Sequence, residues 1–176
     1  MNKYCLKDYL GVKLQAYRSS FYQTSLDTQK SVYLCTDRRT QPVYDFDQYV
    51  RSQFPSHKLP AAPDAIYLGN KKIYFVEFKN QNTRDINSKD IQAKFESGTE
   101  ILKRLLQDFQ PTDIERIFCL VHRQEVKSRY FNAGHFQSSQ VRFGLDELNQ
   151  KLGGFYDRII TESVGFYADK FKQLNC

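Results

Sequence analysis

The sequence predicts an α/β fold with a mixed central sheet flanked by helices. Three observations carry that expectation. Ala65–Leu68 and Ile73–Phe78 are two β-rich runs separated by Gly69-Asn70-Lys71-Lys72, the pattern of an antiparallel hairpin. Ser88 then opens a long helix to about Phe109, whose apolar face is Ile91, Phe95, Leu102, Leu105, Leu106 and Phe109. Ile114–Val121 follows as an almost continuous apolar run, the mark of a strand buried on both faces. Strand, strand, helix and strand in that order belong to helices laid over a sheet.

The remaining elements follow from the N-terminus. Leu6, Leu10, Leu14, Tyr17 and Phe21 recur at spacings of three and four, which predicts a helix over 6–22. Ser31–Cys35 is a short β-leaning run. Asp45–Phe54 reads as a short helix stopped by Pro55, with Phe46, Tyr49, Val50 and Phe54 on one face. Pro111 closes the long helix, and a basic segment follows the apolar strand: His122-Arg123, then Lys127-Ser128-Arg129-Tyr130-Phe131. Two further helices are predicted, Leu145–Leu152, ended by Gly153-Gly154, and roughly 155–174.

The chain of 176 residues carries 26 Lys and Arg against 20 Asp and Glu, a net charge of +6 that points weakly to an anionic partner. The surplus lies mainly in residues 1–62, with nine basic and five acidic side chains, while residues 131–176 hold five of each. Without a basic tail, a nucleic-acid site must be built on the folded surface. No repeat, low-complexity tract or Pro/Gly-rich linker divides the chain, so one domain over 1–176 is expected. Cys5, Cys35, Cys119 and Cys176 form no CxxC and have no His at ligand spacing, which argues against zinc and for reduced thiols. Met1–Asp8 lacks the apolar run of a signal peptide, and no stretch is long and apolar enough to span a membrane. A cytoplasmic protein is therefore expected.

The chemistry concentrates at the hairpin. Pro63-Asp64 starts its first strand and Glu77-Phe78-Lys79 ends its second, with twelve residues between the two carboxylates. Alternation projects Glu77 and Lys79 to one face, ~6.6 Å apart along the strand, while Tyr74, Val76 and Phe78 face the other way. The hairpin returns the end of the second strand to Asp64, so two acids and a lysine converge beside the polar stretch 80–87. Glu125-Val126-Lys127 repeats the triplet with Asp113 upstream, but no hairpin returns Glu125 to Asp113. Charged residues closing a strand as apolar as Ile73–Phe78 are costly unless they bind something.

Pro63-Asp64 and Glu77-Phe78-Lys79 resemble the motif of the PD-(D/E)xK nuclease superfamily, the restriction-endonuclease-like fold. The likeness covers about residues 45–122 and implies an αβββαβ core, with its first strand not evident in the sequence, followed by a C-terminal helical elaboration over about 128–176. It implies a nuclease that hydrolyses phosphodiester bonds with Mg²⁺ or Mn²⁺, DNA being favoured as substrate. An RNase of the same fold, such as a tRNA-cleaving toxin, and a catalytically silent nucleic-acid-binding module are the alternatives. Asp64, Glu77 and the carbonyl of Phe78 would form a hard, oxygen-only metal site. Lys79 would orient or help deprotonate the attacking water and offset transition-state charge.

Gln92, early in the long helix, matches a polar position that several branches of the superfamily use near the lysine. Asp45 or Asp47 is a further acid to weigh against N-capping, and Glu96 reads as a solvated helix residue. His57, His122 and His135 read as ordinary loop histidines. For substrate grip the candidates are Lys71 and Lys72 on the hairpin turn, Arg84 and Lys89 flanking the site, and Arg123, Lys127, Arg129 and Tyr130 beyond the apolar strand. The expected partners are a nucleic acid, no membrane, and a second copy of the chain or another protein. The residues after about Ser128 match no motif and read as a helical cap or a partner surface.

Overall fold

The computed structural model describes residues 5–38, 43–109, 113–124 and 143–170. Helix α1 (Leu6–Lys13) buries Leu6, Tyr9 and Leu10. The helix expected over 6–22 stops there. A 3₁₀ turn (Gln15–Tyr17) leads to the two-residue strand β1 (Arg18–Ser19) and the single-turn helix α2 (Phe21–Thr24). Ser20 Oγ accepts from Gln23 N–H at 3.2 Å, so this serine caps α2 as a separate helix. Strands β2 (Leu26–Asp27) and β3 (Val32–Tyr33) form a small antiparallel pair of their own.

Strand β4 (Val43–Asp45) leads directly into helix α3 (Phe46–Gln53), where Asp45 acts as N-cap and accepts from Gln48 N–H at 2.8 Å. The hairpin follows as β5 (Ala65–Leu68) and β6 (Lys72–Lys79), closed by Gly69 N–H donating to Lys72 O at 2.8 Å. Helix α4 spans Ser88–Leu105, capped by Asn87 one residue before the serine expected from the sequence. Strand β7 (Glu115–His122), helix α5 (Leu145–Lys151), strand β8 (Arg158–Ser163) and helix α6 (Val164–Lys170) complete the described chain.

Six strands form one mixed sheet in the order β1-β4-β5-β6-β7-β8. The pairs from β1 to β6 are antiparallel, whereas β6–β7 and β7–β8 are parallel. Helices cover both faces. Residues of α1, α3, α4 and α5 pack with Ile66, Leu68, Ile73, Phe75, Phe118 and Leu120 on one side. Phe21 of α2 and Tyr167 of α6 pack with Tyr67, Tyr74, Val76, Phe78, Cys119 and Val121 on the other. The two residue sets alternate along β6 and β7, as period-two strands buried on both faces require. Phe95 of α4 meets Phe118 and Tyr156 at 4.8 Å between ring centroids, which fixes the helix over the sheet.

The C-terminal part is only partly the helical elaboration expected from the sequence: α5 and α6 are helices, but a strand lies between them. Within 155–174, residues Arg158–Ser163 add a strand beside β7, with Ile159, Ile160 and Thr161 buried. Three consecutive β-branched residues fit that pleated, two-sided environment better than a helix. Cys5 and Cys119 are free thiols, but Cys35 is disulfide-bonded, which corrects the expectation that every cysteine is reduced. No helix among the described residues is long and apolar enough to cross a membrane.

Candidate active site

The hairpin register sets Ala65 opposite Val76. One step further out, Asp64 comes opposite Glu77, and directly opposed residues in an antiparallel pair share a face. Asp64 is pinned from two sides. Its Oδ2 accepts from Phe78 N–H at 2.7 Å, and its backbone carbonyl accepts from Phe46 N–H at 3.0 Å. Glu77 follows Ile73 and Phe75 on the face covered by α4, and it is completely buried.

Two lysines meet the carboxylates. Lys94 Nζ, from α4, donates to Asp64 Oδ1 at 3.1 Å and to Glu77 Oε2 at 2.8 Å. Lys79 Nζ lies 3.1 Å from Glu77 Oε1. That contact is an ion pair outside hydrogen-bonding geometry, so Oε1 remains a buried oxygen with no hydrogen-bond donor. Burial, then the charge of Asp64, pushes the Glu77 carboxyl up to about 7 against the opposing effect of the two lysines. Burial alone would lower Lys94, but Glu77 and Asp64 outweigh it and hold the ammonium above its ordinary range. Glu77 therefore keeps its proton unusually well for a carboxyl group, while Lys94 stays charged beside it.

These groups line a polar cleft of about 410 Å³. Its floor is the end of β6, one wall is the start of α4 with Asn87 and Asp90, and the segment Thr24–Gln29 forms the opposite wall. Lys30 and Arg123 tie the rim together, their Nζ and Nη2 donating to the same Asn80 carbonyl at 3.1 and 2.9 Å. A larger depression of about 520 Å³ between α1, α3 and the far end of α4 is lined by no carboxylate.

The structure therefore brings Asp64, Glu77, Phe78 and Lys79 together, and Arg123, which does not line the cleft, reaches its lining residue Asn80. Gln92 is elsewhere: its Nε2 donates to Phe143 O at 2.9 Å. Positions 90 and 94 stack one above the other on a helix, and 92 points some 200° away from both. Lys94 is the residue that sequence reasoning missed; its signal is a lysine bordering the apolar stripe Ile91–Phe95, one turn after Asp90. Lys30 is a second, carried in by the β2–β3 pair.

Lys71 and Lys72 do not reach the site. They pair with Asp113 and Glu115 at the opposite end of the sheet, ~23 Å from Lys79 along β6. Arg84 and Lys89 are exposed on the α4 side of the cleft but do not line it. Asp47 pairs with Arg51, and Glu96 is exposed. His57 and His122 do not line the cleft either. Lys127, Arg129, Tyr130, His135 and the Glu125 triplet lie outside the described residues.

The donor set suits a small hard cation. Among the described residues no group of three His, Cys, Asp or Glu side chains is arranged around a metal position. Mg²⁺, however, commonly takes only one or two carboxylates from the protein and completes its shell with water and phosphate. Glu77 Oε1 is a buried oxygen that accepts no hydrogen bond, its one charged neighbour among the described residues being Lys79, and Asp64 Oδ1 is held by Lys94 alone. These two residues fit Mg²⁺ or Mn²⁺.

Compared with known proteins, the chain matches no family model, no curated protein and no solved structure.

Proposed function

We propose that this chain is a metal-dependent nuclease of the PD-(D/E)xK kind, hydrolysing phosphodiester bonds with DNA as the favoured substrate. The observation that carries the reading is the pairing of Asp64 and Glu77 at one sheet edge, with Lys79 on the same carboxylate, inside a polar cleft. The antiparallel neighbours β4, β5 and β6, with α3 inserted between the first two, followed by α4 and the parallel strand β7, are compatible with a βββαβ core. On this reading Val43–Asp45 would be the first strand of that core.

Asp64 and Glu77, with the Phe78 carbonyl, would hold Mg²⁺ or Mn²⁺; such an ion supplies Lewis-acid activation of phosphate and water when bound. The chain's own groups do the rest. Phe78 N–H and the Asp64 carbonyl contact fix the Asp64 carboxylate before any ligand arrives. Lys79, on the cleft floor, orients the attacking water and offsets the charge that develops on the phosphate oxygens. Lys30 and Arg123, drawn together on Asn80, hold a flanking phosphate and give no sequence readout.

The RNase alternative shares this chemistry. The catalytically silent module is favoured by one observation: both carboxylates already have lysine partners. Purified protein incubated with plasmid, single-stranded DNA and total tRNA, in Mg²⁺, Mn²⁺ or EDTA, separates all three. Metal-dependent cleavage of DNA supports the reading, cleavage of tRNA alone moves it to an RNase, and no cleavage of any substrate leaves the binding module.

A further inference from the structure

We infer that Lys94 is the resident counter-ion of the Asp64–Glu77 pair and that a divalent cation can enter only when its ammonium group leaves. The inference rests on the metal-site reading above. Asp64 has one oxygen committed to the Phe78 N–H, so Oδ1 is the oxygen it can offer to a ligand. Lys94 Nζ occupies that oxygen and bridges it to Glu77 Oε2. A metal ion joining the same two carboxylates competes with the lysine for oxygens and, as a second positive charge in a buried pocket, repels it. Lys79 cannot substitute in this role, because its contact is with Glu77 alone.

The geometry also supplies a place for the displaced group. Asp90 lies one turn before Lys94 and lines the same cleft. An acid four residues N-terminal to a lysine is the favourable orientation for a helix ion pair. Metal loading would thus exchange a Lys94 bridge deep in the cleft for a Lys94–Asp90 pair at its mouth. The free chain is then a latent form whose acids are neutralised, and its metal affinity is set by the competing lysine.

The test is metal binding without nucleic acid. Mn²⁺ titrated into the full chain by calorimetry gives its affinity for wild type, Lys94→Met and Glu77→Gln, each first shown to be folded by circular dichroism. Lys94→Met keeps the aliphatic stem and removes the charge, and it is expected to bind Mn²⁺ at least about tenfold more tightly than wild type. Equal or weaker binding by Lys94→Met, with Glu77→Gln still abolishing it, overturns the competition while leaving the metal site standing. No binding by either wild type or Lys94→Met overturns the competition and the metal reading together.

Should Lys94→Met not fold, the wild-type chain decides by nuclear magnetic resonance. The bridged Lys94 ammonium gives a protected side-chain ¹⁵N signal that Mg²⁺ at saturation is expected to shift or remove. A signal unmoved when Mg²⁺ has saturated the site overturns the proposal.

Discussion

Gly98 of α4 lies directly against Pro63: a Cβ on Gly98 would fall 2.5 Å from Pro63 Cδ, well inside contact distance. This close approach seats α4 on the corner that precedes Asp64, and Lys94, one turn earlier on the helix, reaches the Asp64 carboxylate from there. Backbone proximity at one glycine thus sets a distance inside the site.

Filling that contact should disturb both packing and site. Gly98→Val forces α4 or Pro63 to move, and overpacking of this kind costs about 1–3 kcal/mol. Urea unfolding is expected to show that loss, with reduced cleavage in the same protein. Wild-type stability and activity in Gly98→Val would mean that the contact does not position Lys94.

The buried carboxylate gives stability a defined pH dependence. The Glu77 carboxyl rises from 4.5 to about 7, chiefly through burial and then through Asp64. Between those values the folded chain retains a proton that the unfolded chain has released. The associated stability is fully present below the lower value and is lost as pH rises through the upper one. In metal-free buffer the urea midpoint should therefore fall across that interval. Glu77→Gln, which cannot titrate, should flatten the fall; an identical slope in the variant contradicts the assignment.

The cation map makes a graded claim about binding. Arg123→Ala and Lys30→Ala remove groups at the cleft rim and should weaken nucleic-acid affinity severalfold, with a shallower salt dependence. Lys71→Ala and Lys72→Ala, at the far end of β6, should leave it unchanged. Fluorescence anisotropy at two salt concentrations distinguishes the two pairs. The reverse ranking would place the binding surface at the hairpin turn.

Thiol chemistry reports on the sheet. Burial pushes the Cys119 thiol up to about 12, and its place on β7 is closed to solvent. Iodoacetamide at neutral pH should label half-buried Cys5 and spare Cys119 until the chain is unfolded. Rapid native-state labelling of Cys119 would show that β7 is not buried on both faces.

Legibility in the sequence divided along physical lines. The hairpin, α3, α4 and β7 are visible because their apolar periods and turn residues are local properties, and the convergence of Asp64, Glu77 and Lys79 follows from hairpin register alone. The end of α1 at Lys13 was hidden because the apolar spacing runs on through Leu14, Tyr17 and Phe21, whereas β8 carries its own local mark, the consecutive β-branched Ile159-Ile160-Thr161, which a helix over 155–174 overlooks. Lys94 leaves only a weak local mark in the sequence, a lysine bordering the apolar stripe one turn after Asp90. Its role depends on how α4 is rotated over the sheet, which is set by Gly98 on Pro63 and by Phe95 between Phe118 and Tyr156. The same rotation turns Gln92 away from the cleft, towards Phe143.

The central claim is that Asp64 and Glu77 hold a catalytic metal. Its most direct measurement is nicking of supercoiled plasmid in Mn²⁺ by wild type, Asp64→Asn and Glu77→Gln, each with its melting temperature recorded. Cleavage by wild type that EDTA abolishes, and that both folded variants lose, is the expected result. Undiminished cleavage by either variant would contradict it.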